Sequence, residues 1–472
     1  MFMTNDMTTN AKTPSTAKTL IKPAGFSFTA KLPLYNGPFN VGMMDIETKP
    51  LAQSDSSEIK GMPYKRGLLV RIYYPTTVTS NSCKKPHWLP ISPLYALGYS
   101  SFLNLPWIVG RMLVSPLTSK VTIPSYWQTP LAHPSDTQTT IPSIPHRLPV
   151  VVFSHGLAGM RTTYSTLCGS LAAKGFIVLV PEHSDGSACA TIRQSNSSTS
   201  TQHEHIAYLR PDKTSVLPGE TTDDYLLRLR RAQVEIRADE VDACIEILKK
   251  LDMGSFDPKD NLIGNHAESG PCIDSFKSRV DFQHMVMAGH SFGGATTITV
   301  LSRPNMPFRC GIILDPWMFP VHNPNVTVPY LSIQSETFHW KTNLDQMRSM
   351  MGLVPYSNTT DSTAASTVLT TSTLQHPHTR FGYIRHTAHN NPSDFSGLFP
   401  TVIQWAGQAG SADALRVYRI NDDWMCEFIA TIYEQMELKL PRSAEYKIGQ
   451  EQDEMIAVGD QAWNDLYSRL KK

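Results

Sequence analysis

The stretch Met287-Ala288-Gly289-His290-Ser291-Phe292-Gly293-Gly294-Ala295 decides the fold. It contains Gly289-His290-Ser291-Phe292-Gly293, a G-x-S-x-G pentapeptide. An apolar run at 285–288 leads in, and a helix-like run at 295–301 leads out and stops before Pro304. Strand, tight turn and helix in that order form the context of a nucleophile elbow. The backbone at such a serine is strained, so the residues two before and two after it must be small. Glycine at 289 and 293 removes Cβ where strand and helix come closest. With glycine near 7% of residues and serine similar, chance gives the pentapeptide about once in 3,000 positions. Partner residues must therefore decide the reading.

Outward from the elbow, strands and helices alternate. Residues 149–154 (Pro-Val-Val-Val-Phe-Ser) form a continuous apolar run of the buried parallel type. The turn His155-Gly156-Leu157 follows, then a helical stretch at 161–173 closed by Gly175, then a second buried strand at 176–180. That is a βαβ unit. A long amphipathic helix is predicted over 224–251, with Val234, Ala238, Val241, Ile245 and Leu248 at three-four spacing. Further strands are predicted at 68–74, 310–315, 328–334 and 381–385, and a C-terminal helix around Met425, Phe428, Ile432 and Met436. The fold class is α/β: an α/β-hydrolase with a mostly parallel central sheet flanked by helices. Sites in such sheets lie at the carboxyl ends of strands.

Length alone would admit about three domains, but α/β folds often run longer as one. The expected division is a disordered tail at 1–33 and a single domain at 34–472. Surface insertions are expected near 128–147, 191–222 and 356–378, which are polar and rich in Pro, Ser or Thr. The net charge is +1, which gives no footprint for nucleic acid or for long-range steering. No window of 18 consecutive apolar residues exists, so no transmembrane helix is expected. The apolar segment at 103–117 reads either as a buried helix or as a lipid-facing patch, since Trp107 beside Arg111 suits an interface.

The N-terminus lacks a basic region followed by an apolar core, and Phe2 stands where N-myristoylation needs glycine. A cytoplasmic location with peripheral membrane contact is expected, or secretion if the N-terminus is incomplete. Seven cysteines without a C-x-x-C read as free buried thiols. The sequons at Asn196, Asn325 and Asn358 carry little weight against that.

A serine hydroxyl needs a base to take its proton and a third group to orient the base. In this fold the partners follow the serine in the order acid, then histidine. Asp315 is the first acid after Ser291 and ends a predicted strand. Its bland reading is a turn aspartate before Pro316. His389 and His386 both lie just after the last predicted strand, and position alone leaves the choice open. His339, His376 and His378 are less well placed. The oxyanion donors are expected to be the N–H groups of Phe292 and Leu157. His203-Glu204-His205 reads as a solvated surface rather than a ligand set. No metal site, P-loop or dinucleotide fingerprint is present, so no cofactor is expected.

These residues resemble a known family. Phe153-Ser154-His155-Gly156-Leu157, Gly175-Phe176-Ile177-Val178, Glu182-His183, 289–296 and Phe308-Arg309-Cys310-Gly311 are similar to the platelet-activating factor acetylhydrolases, the group VII phospholipases A2. So are Leu314-Asp315, Trp317-Met318-Phe319-Pro320, and His389 followed by Asp394-Phe395. The resemblance runs from about Tyr35 to the C-terminal helix. It implies calcium-independent hydrolysis of the sn-2 acetyl or short or oxidised acyl ester of phospholipids at a membrane or lipoprotein surface. It implies Ser291 as nucleophile, Asp315 as orienting acid and His389 as base, because the family histidine precedes an Asp-Phe pair by five residues. It matches Leu157 and Phe292 to the oxyanion donors. It places membrane-facing helices at about 106–117 and 398–405, with Trp107, Ile108, Met112, Leu113, Leu398 and Phe399 toward lipid. Pro316 departs from the family, which often has a smaller residue there. The rival readings are a general carboxylesterase or thioesterase, a neutral-lipid hydrolase, and a lipid-binding protein that kept the fold.

Overall fold

The computed structural model describes residues 31–49, 62, 67–79, 83–136, 143–194, 203–263, 266–353, 376, 378–435 and 455–470. The expected N-terminal tail up to residue 30, and nearly all of the expected insertion at 356–378, lie outside the described residues.

The described chain begins with an antiparallel pair, β1 (Asn40–Glu47) and β2 (Leu69–Thr76). β2 runs on through Pro75, because its other neighbour pairs only with Val70–Tyr73 and asks no hydrogen bond of the proline. Helix α1 (Ser92–Phe102) follows, then one helical segment made of α2 (Trp107–Val109), a π-type turn at Gly110–Val114, and α3 (Ser115–Thr118). The short β3 (Tyr126–Trp127) lies beside β1 at the sheet edge. β4 (Leu148–Ser154), α4 (Ser165–Ala173) and β5 (Ile177–Pro181) make the expected βαβ unit.

β6 (Ala190–Gln194) and β7 (His203–Ala207) pair as a separate two-stranded sheet. This corrects the reading of 191–222 as irregular loop. Helix α5 (Thr222–Met253) starts at a Thr221–Asp224 capping box and stops at Gly254, which sits at φ 65°. After α6 (His266–Asp274) come β8 (Val280–His290), α7 (Phe292–Ser302), β9 (Phe308–Leu314) and β10 (Tyr330–Ser335). Then follow α8 (Lys341–Met350), β11 (Arg380–Ile384), α9 (Asp394–Leu398), α10 (Pro400–Trp405), α11 (Ala414–Glu434), β12 (Ile456–Val458) and α12 (Gly459–Arg469).

The main sheet has the order β12-β11-β10-β9-β8-β4-β5-β2-β1-β3. Its central run from β11 to β5 is parallel. β8 lies at the centre, so the elbow opens at the carboxyl end of a fully supported strand. Successive residues of the central strands alternate between two cores. Val150, Val152, Met285 and Met287 join one apolar layer, and Val151, Phe153, Val286 and Ala288 join the other. That explains the unbroken apolar runs: both faces of these strands are buried. The 128–147 segment is not simply a surface insertion, because Leu131, Ala132 and Ile144 are buried in the first of these layers. Isolated apolar residues in a Pro- and Ser-rich stretch give no periodicity, which is why the sequence hides them.

Candidate active site

The elbow forms as the glycines require. Ser291 stands at φ 59° and ψ −117°, between the last residue of β8 and the first of α7. A Cβ on Gly289 would lie 2.2 Å from the Gly293 carbonyl oxygen. One on Gly293 would lie 2.0 Å from the Ser154 carbonyl oxygen. No side chain fits at either position, so β8, α7 and the end of β4 meet backbone to backbone. The strained serine is held from both sides: its N–H donates to Leu314 O at 2.9 Å, and its carbonyl accepts from Trp317 N–H at 3.0 Å.

Three elements bring the polar groups to that serine. Asp315 directly follows β9, in the left-handed region at φ 45°. His389 lies in the turn after β11. Ser291 Oγ donates to His389 Nε2 at 2.7 Å, and His389 Nδ1 donates to Asp315 Oδ2 at 2.7 Å. Ser335, at the end of β10, donates its N–H to Asp315 Oδ1 at 3.1 Å and its hydroxyl to Oδ2 at 2.6 Å. His386 is exposed in a turn, well outside this chain of bonds. His339, His376 and His378 make no bond to Ser291 among the described contacts, although His339 lies near enough to Asp315 to be felt electrostatically.

All three residues are buried. Burial pushes the Asp315 carboxyl up to about 6, and the nearby His290 and the two Ser335 donors oppose the shift. Burial also pulls the His389 imidazole down to about 3, so it stands neutral. Two rings lie against it: Phe338 at 3.4 Å between centroids and His290 at 4.6 Å. His290, Asp315 and His389 bring ligand-type atoms within 4.8 Å of one another. Both nitrogens of His389 are already engaged by Asp315 and Ser291, so a metal would have to displace those bonds.

The loop His155-Gly156-Leu157 packs against the serine: a Cβ on Gly156 would lie 3.2 Å from Ser291 Cβ. Gly156 donates its N–H to Tyr164 Oη at 3.3 Å, and its carbonyl accepts from Gly159 N–H at 3.0 Å and from His155 Nδ1 at 2.8 Å. Tyr164 in turn donates to His290 Nδ1 at 2.7 Å. Among the described residues, the N–H groups of Leu157 and Phe292 have no protein acceptor. Two unpaired donors beside an activated serine can hold a developing oxyanion.

Comparison with known proteins now decides the family. Residues 24–440 match the sequence profile of platelet-activating factor acetylhydrolase, isoform II. The chain belongs to the platelet-activating factor acetylhydrolase family. It is 31% identical over 323 residues to the platelet-activating factor acetylhydrolase of Canis lupus familiaris, covering 68% of this chain and 63% of that protein. The chain thus spans less than two thirds of that relative's length. It is 32% identical over 331 residues to the Gallus gallus platelet-activating factor acetylhydrolase, covering 68% and 69%. A putative phospholipase A2 of Schizosaccharomyces pombe is 28% identical over 438 residues, covering 86% of this chain and 93% of that protein. In structure, a ferulic acid esterase from Streptomyces cinnamoneus superposes with a TM-score of 0.54 at 16% identity, over 91% of this chain and 98% of that one. That likeness shows the α/β-hydrolase fold.

Within this acetylhydrolase-family chain, the apolar surface departs from expectation in part. Trp107, Ile108, Met112 and Leu113 are 65%, 46%, 67% and 57% exposed, so the segment after α1 is not a buried helix. Trp405 is 85% exposed. Leu398, however, is fully buried, and Phe399 is half-buried against Trp88. Leu398 therefore cannot face lipid; α9 is a single short turn whose apolar end packs inward. Pro316 fits because Gly294 faces it: a Cβ there would meet Pro316 Cβ at 2.9 Å. Ser335, Phe338, Tyr164 and His290 were not legible as site residues. Only His290, inside the pentapeptide, carried a signal that could have been followed.

Proposed function

We propose that this chain is a calcium-independent serine hydrolase that cleaves the sn-2 acetyl, or short or oxidised acyl, ester of platelet-activating factor and related phospholipids. The observation that carries the hydrolase reading is the continuous chain Ser291 Oγ–His389 Nε2, His389 Nδ1–Asp315 Oδ2, at 2.7 Å in each link. The names of the relatives support the lipid class.

In the proposed cycle, Ser291 attacks the sn-2 carbonyl while His389 takes its proton. Asp315 holds the imidazole with its proton on Nδ1 and stabilises the cation that forms. The Leu157 and Phe292 N–H groups receive the oxyanion. The lysophospholipid oxygen leaves with the proton from His389. Water, deprotonated by the same histidine, then frees the acid and restores Ser291.

The substrate is proposed to reach the site from a lipid surface on which Trp107, Ile108, Met112, Leu113 and Trp405 rest. The exposure of Trp107, Ile108, Met112 and Leu113 within one short segment, and of Trp405, supports this, since large apolar side chains left in water mark an interaction surface. No helix among the described residues is long and apolar enough to cross a membrane.

Rates on three esters test the reading: an sn-2 acetyl phospholipid, a long-chain phospholipid and a soluble aryl acetate. The proposal expects the acetyl phospholipid to lead in kcat/KM. Equal or better turnover of the aryl acetate, with none on either lipid, would replace it with a general carboxylesterase.

A further inference from the structure

Helix α5 carries more than the apolar stripe that defines it. Gln233, Arg237 and Glu240 lie on one side of it, fully or nearly buried, and face the loop that follows β5. Gln233 donates to Asp185 O at 2.9 Å, and Glu240 accepts from the Ser184 N–H at 2.9 Å. Arg237 is the central member. Its Nη1 donates to His155 O at 2.7 Å. Its Nε donates to Asp185 Oδ2 at 3.1 Å and to Ser187 Oγ at 3.0 Å, and its Nη2 to Ser187 Oγ at 2.6 Å. The guanidinium carbon sits 4.4 Å from the centre of the Phe292 ring.

These contacts converge on two residues. His155 O belongs to the peptide just before Gly156-Leu157. Ser187, held by Arg237 through its hydroxyl, accepts from the Ala158 N–H through its carbonyl at 2.7 Å. Leu157 is thus bracketed on both sides by groups that Arg237 fixes. The same cation lies on the ring of Phe292, the residue with the other unpaired N–H. A buried charge in an ion pair costs desolvation and is weak evidence for stability. A planar fork with five donors is what this geometry uses: one side chain binds a carbonyl, a hydroxyl, a carboxylate and a ring face together.

We propose that Arg237 is the positioning residue of the oxyanion hole, setting the Leu157 and Phe292 N–H groups at one point in front of Ser291. It acts through the His155 carbonyl, Ser187 and the Phe292 ring, and touches no substrate. The inference rests on the serine-hydrolase reading above. A merely structural Arg237 would tie α5 to the sheet and affect only how much enzyme folds.

The test uses the full chain and variants Arg237→Met, Arg237→Lys and Ser187→Ala. Ser187→Ala removes a single oxygen, so it remains informative if the arginine variants do not fold. Active sites are counted by stoichiometric phosphonylation with a fluorophosphonate, and aryl acetate turnover is expressed per site. A 13C-labelled trifluoromethyl ketone then forms a hemiketal on Ser291, and its pKa is read by NMR. Losing one oxyanion donor costs about 100- to 1,000-fold in rate. Arg237→Met should therefore lose about 100-fold in kcat/KM per titrated site, and Arg237→Lys and Ser187→Ala about tenfold. The hemiketal pKa should rise in the same order. Titratable variants with wild-type turnover per site and an unmoved hemiketal pKa would overturn the proposal and leave the serine mechanism standing. Ester hydrolysis that survives in Ser291→Ala would overturn the underlying reading, and the role of Arg237 with it.

Discussion

Gly293 is where the elbow meets the end of β4, and an alanine there gives the account a quantitative test. The added Cβ would stand 2.0 Å from Ser154 O, 2.6 Å from Ser154 C and 2.8 Å from His155 O. Real Cβ contacts essentially never fall below 3.0 Å, so the two backbones must separate by 3.0 − 2.0, or about 1 Å. Both sides are backbone, and no rotamer can relieve the contact. Overpacking of this kind costs about 1–3 kcal/mol, and the rigid partners place Gly293→Ala at the upper end. The displaced groups are the Phe292 N–H and the 155–157 loop, which hold the oxyanion in the proposed mechanism. A misplacement near 1 Å costs roughly 100-fold in rate. At Gly294 the same atom would stand 2.9 Å from Pro316 Cβ, so a shift of a few tenths of an ångström suffices. Gly294→Ala should lose no more than about tenfold. The assay is aryl acetate turnover per phosphonylated site, with denaturant midpoints on the same samples. Wild-type turnover and stability in Gly293→Ala, or a greater loss in Gly294→Ala, would refute the reasoning.

Asp315→Asn keeps the shape but lets the amide face His389 with a donor, so the imidazole turns to the wrong tautomer; kcat should fall by about 10,000-fold, read by aryl acetate turnover. The acid limb of kcat/KM should lie near pH 6, where the buried Asp315 takes up its proton and the tautomer lock is lost as pH falls. The Ser335 hydroxyl lowers the Asp315 pKa, so Ser335→Ala should raise it and move that limb to higher pH; a limb that stays or moves down contradicts the assignment. Burying a large apolar side chain yields about 1.5–3 kcal/mol, so Trp107→Ala and Trp405→Ala should each weaken vesicle binding by roughly 10- to 100-fold. Their turnover of a soluble aryl acetate should stay within about twofold of wild type, because neither residue touches the site.

The parallel core and the triad were legible because each leaves a local mark. Val150, Val151 and Val152 read as a buried strand, and Gly289 and Gly293, at positions where no Cβ fits, bracket the serine. Asp315 and His389 each follow a strand that ends at the same edge, so their order along the chain becomes proximity in space. What stayed hidden depends on distant partners. Arg237 stands as a charge within the buried stripe of α5, beside Val241 and Cys244, and only the folded chain supplies the partners it meets there, His155, Asp185, Ser187 and Phe292. The β6–β7 hairpin is polar along β7, where His203, Glu204 and His205 are exposed, so it shows no apolar alternation. β12 has three residues and gains strand character only by pairing with Gly382–Ile384. Trp463, Leu466 and Tyr467 of α12 do follow helical spacing and could have been read. Leu398 misled because a short apolar helix end looks the same whether it turns inward or toward lipid.

The central claim is that Ser291 drives hydrolysis of a short sn-2 ester without a metal. Release of acetate from an sn-2 acetyl ether phosphocholine, with EDTA present, in wild type and Ser291→Ala, tests it directly. Turnover should be unchanged by EDTA and lost in the variant. Acetate release that stops with EDTA, or that persists in Ser291→Ala, would contradict it.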